Sequence, residues 1–210
     1  MKLQLALDRI TRDQCIGIIQ DTEKEIDIIE VGTGVIKEYG MAIVREIRER
    51  FPDKTIFIDM KTCDAGKHEA LQAFNAGADM TSVMAFSADS TIKDMLHTAS
   101  QTGNRVMVDL LGVHSRDRIK ELDELGVNLV SLHVGKDMQA DGAFNTSLFS
   151  LLNGFDEIEV AVAGGINMDT ISAVVRENPD TIIVGSAITK AENPQKAAAK
   201  MKSIIQRMNA

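Results

Sequence analysis

The chain has 210 residues, 44% hydrophobic and 26% charged, a composition that can bury the core of one large domain and excludes a disordered polymer. A formal net charge of −8 and an aromatic content of 4% exclude the basic, aromatic-bearing face that nucleic-acid binders present. No run reaches the length of a membrane span, MKLQLALD turns acidic too early for a secretory leader, and two widely separated cysteines, Cys15 and Cys63, predict neither a disulfide framework nor a zinc site, so the expected compartment is the cytoplasm.

In chain order, short apolar runs rich in strand formers recur. They are LQLALD at 3–8, DIIEVG at 27–32, TIFIDMK at 55–61, MTSVMAF at 80–86, RVMVDLLG at 105–112, LVSLHVG at 129–135, IEVAVAGG at 158–165 and TIIVGSAI at 181–188. Stretches of helical period separate them, such as VIKEYGMAIVREIRERF after the second run and DSTIKDMLHTASQTG after the fourth. The turns AGAD at 76–79 and LGVN at 125–128 fall where a helix stops and a strand begins. Repeated strand and helix alternation requires parallel pairing, because each helix carries the chain back over the sheet. Strand starts roughly 25 residues apart predict an α/β fold of the (β/α)8 TIM-barrel type, one domain over residues 1–210. An open dinucleotide-binding sheet is disfavoured, since the first strand is followed by DRITRD and not by a glycine-rich GxGxxG turn.

Barrel enzymes place their chemistry at the C-terminal ends of the strands. Here those ends carry Asp8, Glu30, Asp59, Lys61, Asp109 and His133. Alternation along the third strand puts Asp59 and Lys61 on one face, the barrel mouth, and Ile58 and Met60 on the other. One acid at a strand end is commonly a loop residue or a helix cap. Six polar groups on one rim need another explanation, because clustered carboxylates resist ionisation unless cations share the site. Lys61 alone does not balance four carboxylates, so a divalent cation is expected, and oxygen-only ligands favour Mg²⁺ with Glu30 and Asp59 as its protein ligands. His133, beside Asp109 and Lys61, is the expected acid or base. AGG at 163–165 and VGS at 184–186 leave bare amides at Gly164, Gly165, Gly185 and Ser186, where barrels commonly seat a phosphate. His68, His97, His114 and Cys63 are assigned no chemistry.

The motif D-x-K-x-x-D at Asp59, Lys61 and Asp64 now joins ALD at 6–8, EVGT at 30–33, HVGKDMQA at 133–140 and AVAGGI at 161–166. Together they resemble the orotidine 5'-monophosphate decarboxylase suprafamily, almost from end to end of the chain. Within it the pattern is similar to the synthase branch, Mg²⁺-dependent aldolases that join formaldehyde to D-ribulose 5-phosphate through an enediolate and give D-arabino-3-hexulose 6-phosphate. The sibling branch decarboxylates 3-keto-L-gulonate 6-phosphate and tends to carry Glu where this chain has Asp109 and Arg where it has Lys136 and Ser186. The chain departs from the synthases at Lys136, at GTG in place of GTP at 32–34, and at SVMAFS over 82–87. The resemblance implies that Asp59 binds Mg²⁺, that Lys61 contacts the reacting oxygens, that Asp109 and His133 are catalytic and that Asp8 contacts substrate. It further implies that Asp64 crosses into a second subunit's site, making a homodimer with shared active sites. A sugar-phosphate-binding barrel without catalysis is the rival from another class.

Overall fold

A computed structural model describes residues 1–141 and 145–208. Eight parallel strands close into a barrel in sequence order: β1 (Lys2–Leu7), β2 (Ile28–Val31), β3 (Thr55–Thr62), β4 (Met80–Met84), β5 (Arg105–Asp109), β6 (Leu129–His133), β7 (Glu159–Ala163) and β8 (Thr181–Val184). β1 pairs with both β2 and β8, which closes the ring. The expected (β/α)8 TIM barrel is the fold observed. Its helices are α1 (Arg12–Thr22), α2 (Thr33–Tyr39), α3 (Met41–Arg50), α4 (Gly66–Asn75), α5 (Asp89–Thr102), α6 (Arg116–Glu124), α7 (Ile171–Arg176), α8 (Ser186–Thr189) and α9 (Pro194–Met208).

Strand alternation divides the apolar residues between two cores. On β1, Leu3, Leu5 and Leu7 face outward and are fully buried against the helices, while Ala6 faces inward. Phe57, Met80, Met107, Leu129, Ala161 and Ile183 meet inside the barrel, so the interior is packed and not a pore. The first helix starts at a reciprocal cap, with Gln14 N donating to Thr11 Oγ1 and Thr11 N donating to Gln14 Oε1.

Three local readings differ from the sequence pattern. The helical stretch after β2 breaks at Gly40, whose φ of 59° and ψ of −156° suit glycine, and becomes α2 and α3. The crossover from β6 to β7 contains 3₁₀ turns at Lys136–Asp141 and Thr146–Leu152 in place of an α-helix. The apolar runs at 80–86, 105–112, 129–135 and 181–188 leave the sheet earlier, at Met84, Asp109, His133 and Val184. Beyond the rim a strand has no neighbour to complete its ladder, so those last residues turn into the loops and the short α8 that build the mouth. Among the described residues no helix is long and apolar enough to cross a membrane.

Candidate active site

A cavity of about 730 Å³ opens at the C-terminal ends of the strands. Its floor is the inner core, where Ala6, Phe57, Met107, Ala163 and Ile183 meet it. Above that floor stand Glu30, Asp59, Lys61, Asp109 and His133, with Asp8 at the rim. Gly164, Gly165, Gly185 and Ser186 line the side formed by β7, β8 and the start of α8. The strand ends thus bring together every predicted site residue except Asp64, which is exposed on the loop after β3 and does not line the cavity of its own chain.

The third strand reaches this geometry by an irregularity that alternation alone does not predict. Pairing with β4 runs Ile58 to Thr81 and then Thr62 to Val83, so β3 carries two more residues than its partner across the gap. Lys61 sits in that bulge with φ +50°, a left-handed conformation uncommon for a side chain of its size. Ser82 fixes the bulge by accepting from Lys61 N at 2.9 Å and donating to Asp59 Oδ1 at 2.8 Å. Met60 still packs against the outer core, and the lysine still turns inward.

Lys61 Nζ lies 3.0 Å from Asp59 Oδ2 and 2.6 Å from Asp109 Oδ2. Burial works against its charge, but the two aspartates outweigh burial and push the ammonium above its ordinary value. Lys61 is therefore a permanent cation and a poor nucleophile. Asp109 also receives Leu111 N at 2.9 Å and His133 Nδ1 at 2.9 Å. Burial alone would raise the Asp109 carboxyl, yet the His133 hydrogen bond and charge together with Lys61 hold it down at about 2. With Asp109 accepting from Nδ1, the neutral form of His133 carries its lone pair on Nε2, the arrangement a general base needs.

Glu30 has the opposite environment. It is 7% exposed, and desolvation first, then the neighbouring Asp59 charge, raises its carboxyl to about 8. Its one hydrogen bond among the described residues is from Gln4 Nε2 at 2.6 Å. Asp59 is held more fully, by Ser82, by Lys61 and by Thr33 Oγ1, which lies 2.9 Å from its carbonyl oxygen and 3.0 Å from Oδ2. Among the described residues no three His, Cys, Asp or Glu side chains form a ready cage for a metal. Mg²⁺ asks for less, one or two carboxylates completed by water and substrate oxygens. Two hard-oxygen donors on adjacent strands, with the Asp59 charge raising the cost of charging Glu30, fit such an ion, because a divalent cation between them would remove the repulsion.

The glycines have two different reasons to be glycine. A Cβ on Gly164 would lie 2.2 Å from Val134 O, so the chain's own packing bars a side chain there. A Cβ on Gly185 would meet nothing closer than Ala6 O at 3.5 Å, so protein packing tolerates one and the bare amide faces the cavity. The GTG loop also has an explanation. Gly34 N donates to Asp8 Oδ1 at 2.8 Å, a bond that proline at this position lacks the hydrogen to make. Asp8 is held from the other side by Arg9 Nε at 3.0 Å. The sequence pattern assigns no role to Gln4, Thr33 or Ser82, because single polar residues in strands and turns are common. The signal for Gln4 was a polar side chain at an inward position of an apolar strand, which must find a partner.

Folding stability should report the Asp109 network. A carboxyl held at about 2 against an ordinary 3.8 favours the folded state above about pH 4, and that contribution fades as pH falls through 2. Asp109→Asn should lower the unfolding free energy by about 2 kcal/mol at pH 7, and the deficit should shrink by about 1 kcal/mol between pH 5 and pH 3 in urea titrations. A deficit that stays constant across that range would contradict the assigned ionisation.

With the geometry in hand, comparison with known proteins is specific. Residues 1–201 match the family described as orotidine 5'-phosphate decarboxylase / HUMPS family. A Bacillus subtilis (strain 168) protein named 3-hexulose-6-phosphate synthase is 38% identical over 207 residues, 98% of this chain and 99% of the relative. The crystal structure of 3-hexulose-6-phosphate synthase from Salmonella typhimurium superposes with a TM-score of 0.96 at 34% identity, over 99% of this chain and 100% of that one. The structure of 3-keto-L-gulonate-6-phosphate decarboxylase from Vibrio cholerae O1 biovar El Tor gives 0.87 at 27% identity, over 99% and 98% of the two chains. This chain therefore belongs to the orotidine 5'-phosphate decarboxylase / HUMPS family.

Proposed function

We propose that this protein is a 3-hexulose-6-phosphate synthase, an aldolase that joins formaldehyde to D-ribulose 5-phosphate and gives D-arabino-3-hexulose 6-phosphate. The observation that carries the reading is the shared Asp109 carboxylate, which holds Lys61 Nζ at 2.6 Å and His133 Nδ1 at 2.9 Å on one wall of a sugar-sized cavity. His133 Nε2 takes the proton from C1 of the ketose, and the C1–H electron pair becomes the C1=C2 bond as the C2 carbonyl oxygen gains charge. Lys61 donates to the oxygens on which that charge develops, and Asp109 steadies the imidazolium that forms. The C1=C2 electron pair then attacks the formaldehyde carbon as the C2 carbonyl re-forms, and the new alkoxide takes the proton back from His133 Nε2. Amides at Gly164, Gly165, Gly185 and Ser186 hold the phosphate at the far side of the cavity. Mg²⁺ on Glu30 and Asp59 would supply Lewis-acid polarisation of the ketose oxygens.

Several observations support the synthase over the decarboxylase reading. The named synthases are 34–38% identical to this chain, whereas the named decarboxylase structures are 27% identical. Asp109 and Ser186 stand where the decarboxylases tend to carry Glu and Arg. A cytoplasmic setting accords with two free thiols, Cys15 and Cys63.

The dimer belongs to the same proposal. Asp64 is exposed beside Cys63 and Ala65, and the adjoining loop after β4 presents Phe86 at 64% exposure. Ser87 Oγ donates to Thr62 O at 3.2 Å and joins these loops, while Arg118 grips the second loop through Ala85 O at 2.8 Å and Ser87 O at 3.2 Å. A large apolar side chain on a braced loop next to an unused acid suits a second copy of the chain.

Purified protein given D-ribulose 5-phosphate, Mg²⁺ and formaldehyde should consume formaldehyde, stop when EDTA is added and resume with excess Mg²⁺. Release of CO₂ from 3-keto-L-gulonate 6-phosphate with no formaldehyde consumption would replace the synthase by the decarboxylase, and full activity in EDTA would remove the metal.

Shared sites predict complementation. Asp59→Ala and Asp64→Ala homodimers should each be inactive, but re-formed mixtures should recover about a quarter of wild-type activity, because about half of the dimers are mixed and each has one intact site. Mixed dimers that exchange subunits and remain inactive would return Asp64 to its own chain.

A further inference from the structure

The inner face of β1 carries a polar residue below the catalytic layer. Gln4 is 0% exposed, and its neighbour on the same face, Ala6, is apolar and packs in the inner core. Register places Gln4 beside Ile28 and Ile183, both of which belong to that apolar cluster. A buried amide among such neighbours is costly unless its groups are partnered. One half of it is: Nε2 donates to Glu30 Oε2 at 2.6 Å. The other half, Oε1, is buried without a hydrogen-bond partner among the described residues.

The two carboxylates assigned to the cation are held very unequally. Asp59 is fixed by Ser82, Thr33 and Lys61, so its orientation survives loss of any one contact. Glu30 is buried and has the Gln4 amide as its single hydrogen-bond partner among the described residues. We infer that Gln4 is the positioning residue of the cation site, its Nε2 fixing the Glu30 carboxylate from beneath the cavity. This rests on the Mg²⁺ reading given above. Groups that orient metal ligands from behind commonly change affinity by 10–100-fold when lost.

The experiment is Mn²⁺ binding to the purified full-length protein without substrate, followed by electron paramagnetic resonance of free Mn²⁺. Gln4→Met keeps the volume and removes both hydrogen-bonding groups, while Gln4→Asn keeps the amide but is one methylene too short to reach Glu30. Both should bind Mn²⁺ about 10–100-fold more weakly than wild type while circular dichroism shows an intact fold. A purely structural role would lower the melting temperature and leave the Mn²⁺ affinity unchanged. Folded variants that bind as tightly as wild type would overturn the inference alone. Wild-type protein that binds no Mn²⁺ would overturn the cation reading, and this inference with it. Should Gln4→Met fail to fold, Gln4→Asn decides.

Discussion

The ammonium of Lys61 lies between two carboxylates, 3.0 Å from Asp59 and 2.6 Å from Asp109, and the rest of the site is arranged around it. Without that cation two buried acids would face each other across a cavity floored by apolar side chains, and each would resist ionisation. With it, Asp109 stays charged and can hold His133 by Nδ1. His133 is thus oriented by a carboxylate whose charge depends on a lysine from another strand. Glu30 lies outside this arrangement, with its carboxyl raised to about 8 by burial and by Asp59. That difference separates a side of the cavity whose acid is kept charged by its own neighbours from a side whose acid has one amide as its support among the described residues.

The barrel supplies the rigidity that such a balance requires. Glu30, Asp59, Asp109 and His133 stand on four different strands, so their positions are set by the closed hydrogen-bond ring and not by a flexible loop. The exception is Lys61, which the ring alone would not aim correctly. Its bulge and its φ of +50°, held by the Ser82 hydroxyl that ties it to Asp59, form a strained feature of the site. Strain of this sort persists where surrounding contacts over-determine it, and here the strain and the cation between the two aspartates share one residue.

Much of this was legible in the sequence, for reasons that can be named. The strand runs are apolar on both faces because parallel strands are covered on both sides, and their regular spacing left a barrel as the simplest closure. Their places at strand ends put Glu30, Asp59, Lys61, Asp109 and His133 on one rim, and period-two alternation turns Asp59 and Lys61 into the barrel mouth. Other features were hidden because they depend on three-dimensional pairing. The bulge in β3 arises from register with β4, and nothing in DMKTCD announces it. Thr33 and Ser82 look like any hydroxyl residues until Asp59 is placed between them. Gly40 is the reverse case, a visible helix breaker inside a stretch whose apolar period reads as one continuous helix.

The central claim is that His133, oriented by Asp109, takes the C1 proton of D-ribulose 5-phosphate. The most direct measurement leaves formaldehyde out and follows incorporation of deuterium at C1 from D₂O by NMR, in the presence of Mg²⁺. Wild-type protein should exchange that hydrogen without consuming the sugar, and His133→Gln should slow exchange by about 100-fold or more while still binding the substrate. Exchange at the wild-type rate in His133→Gln would contradict the account and place the base elsewhere in the cavity.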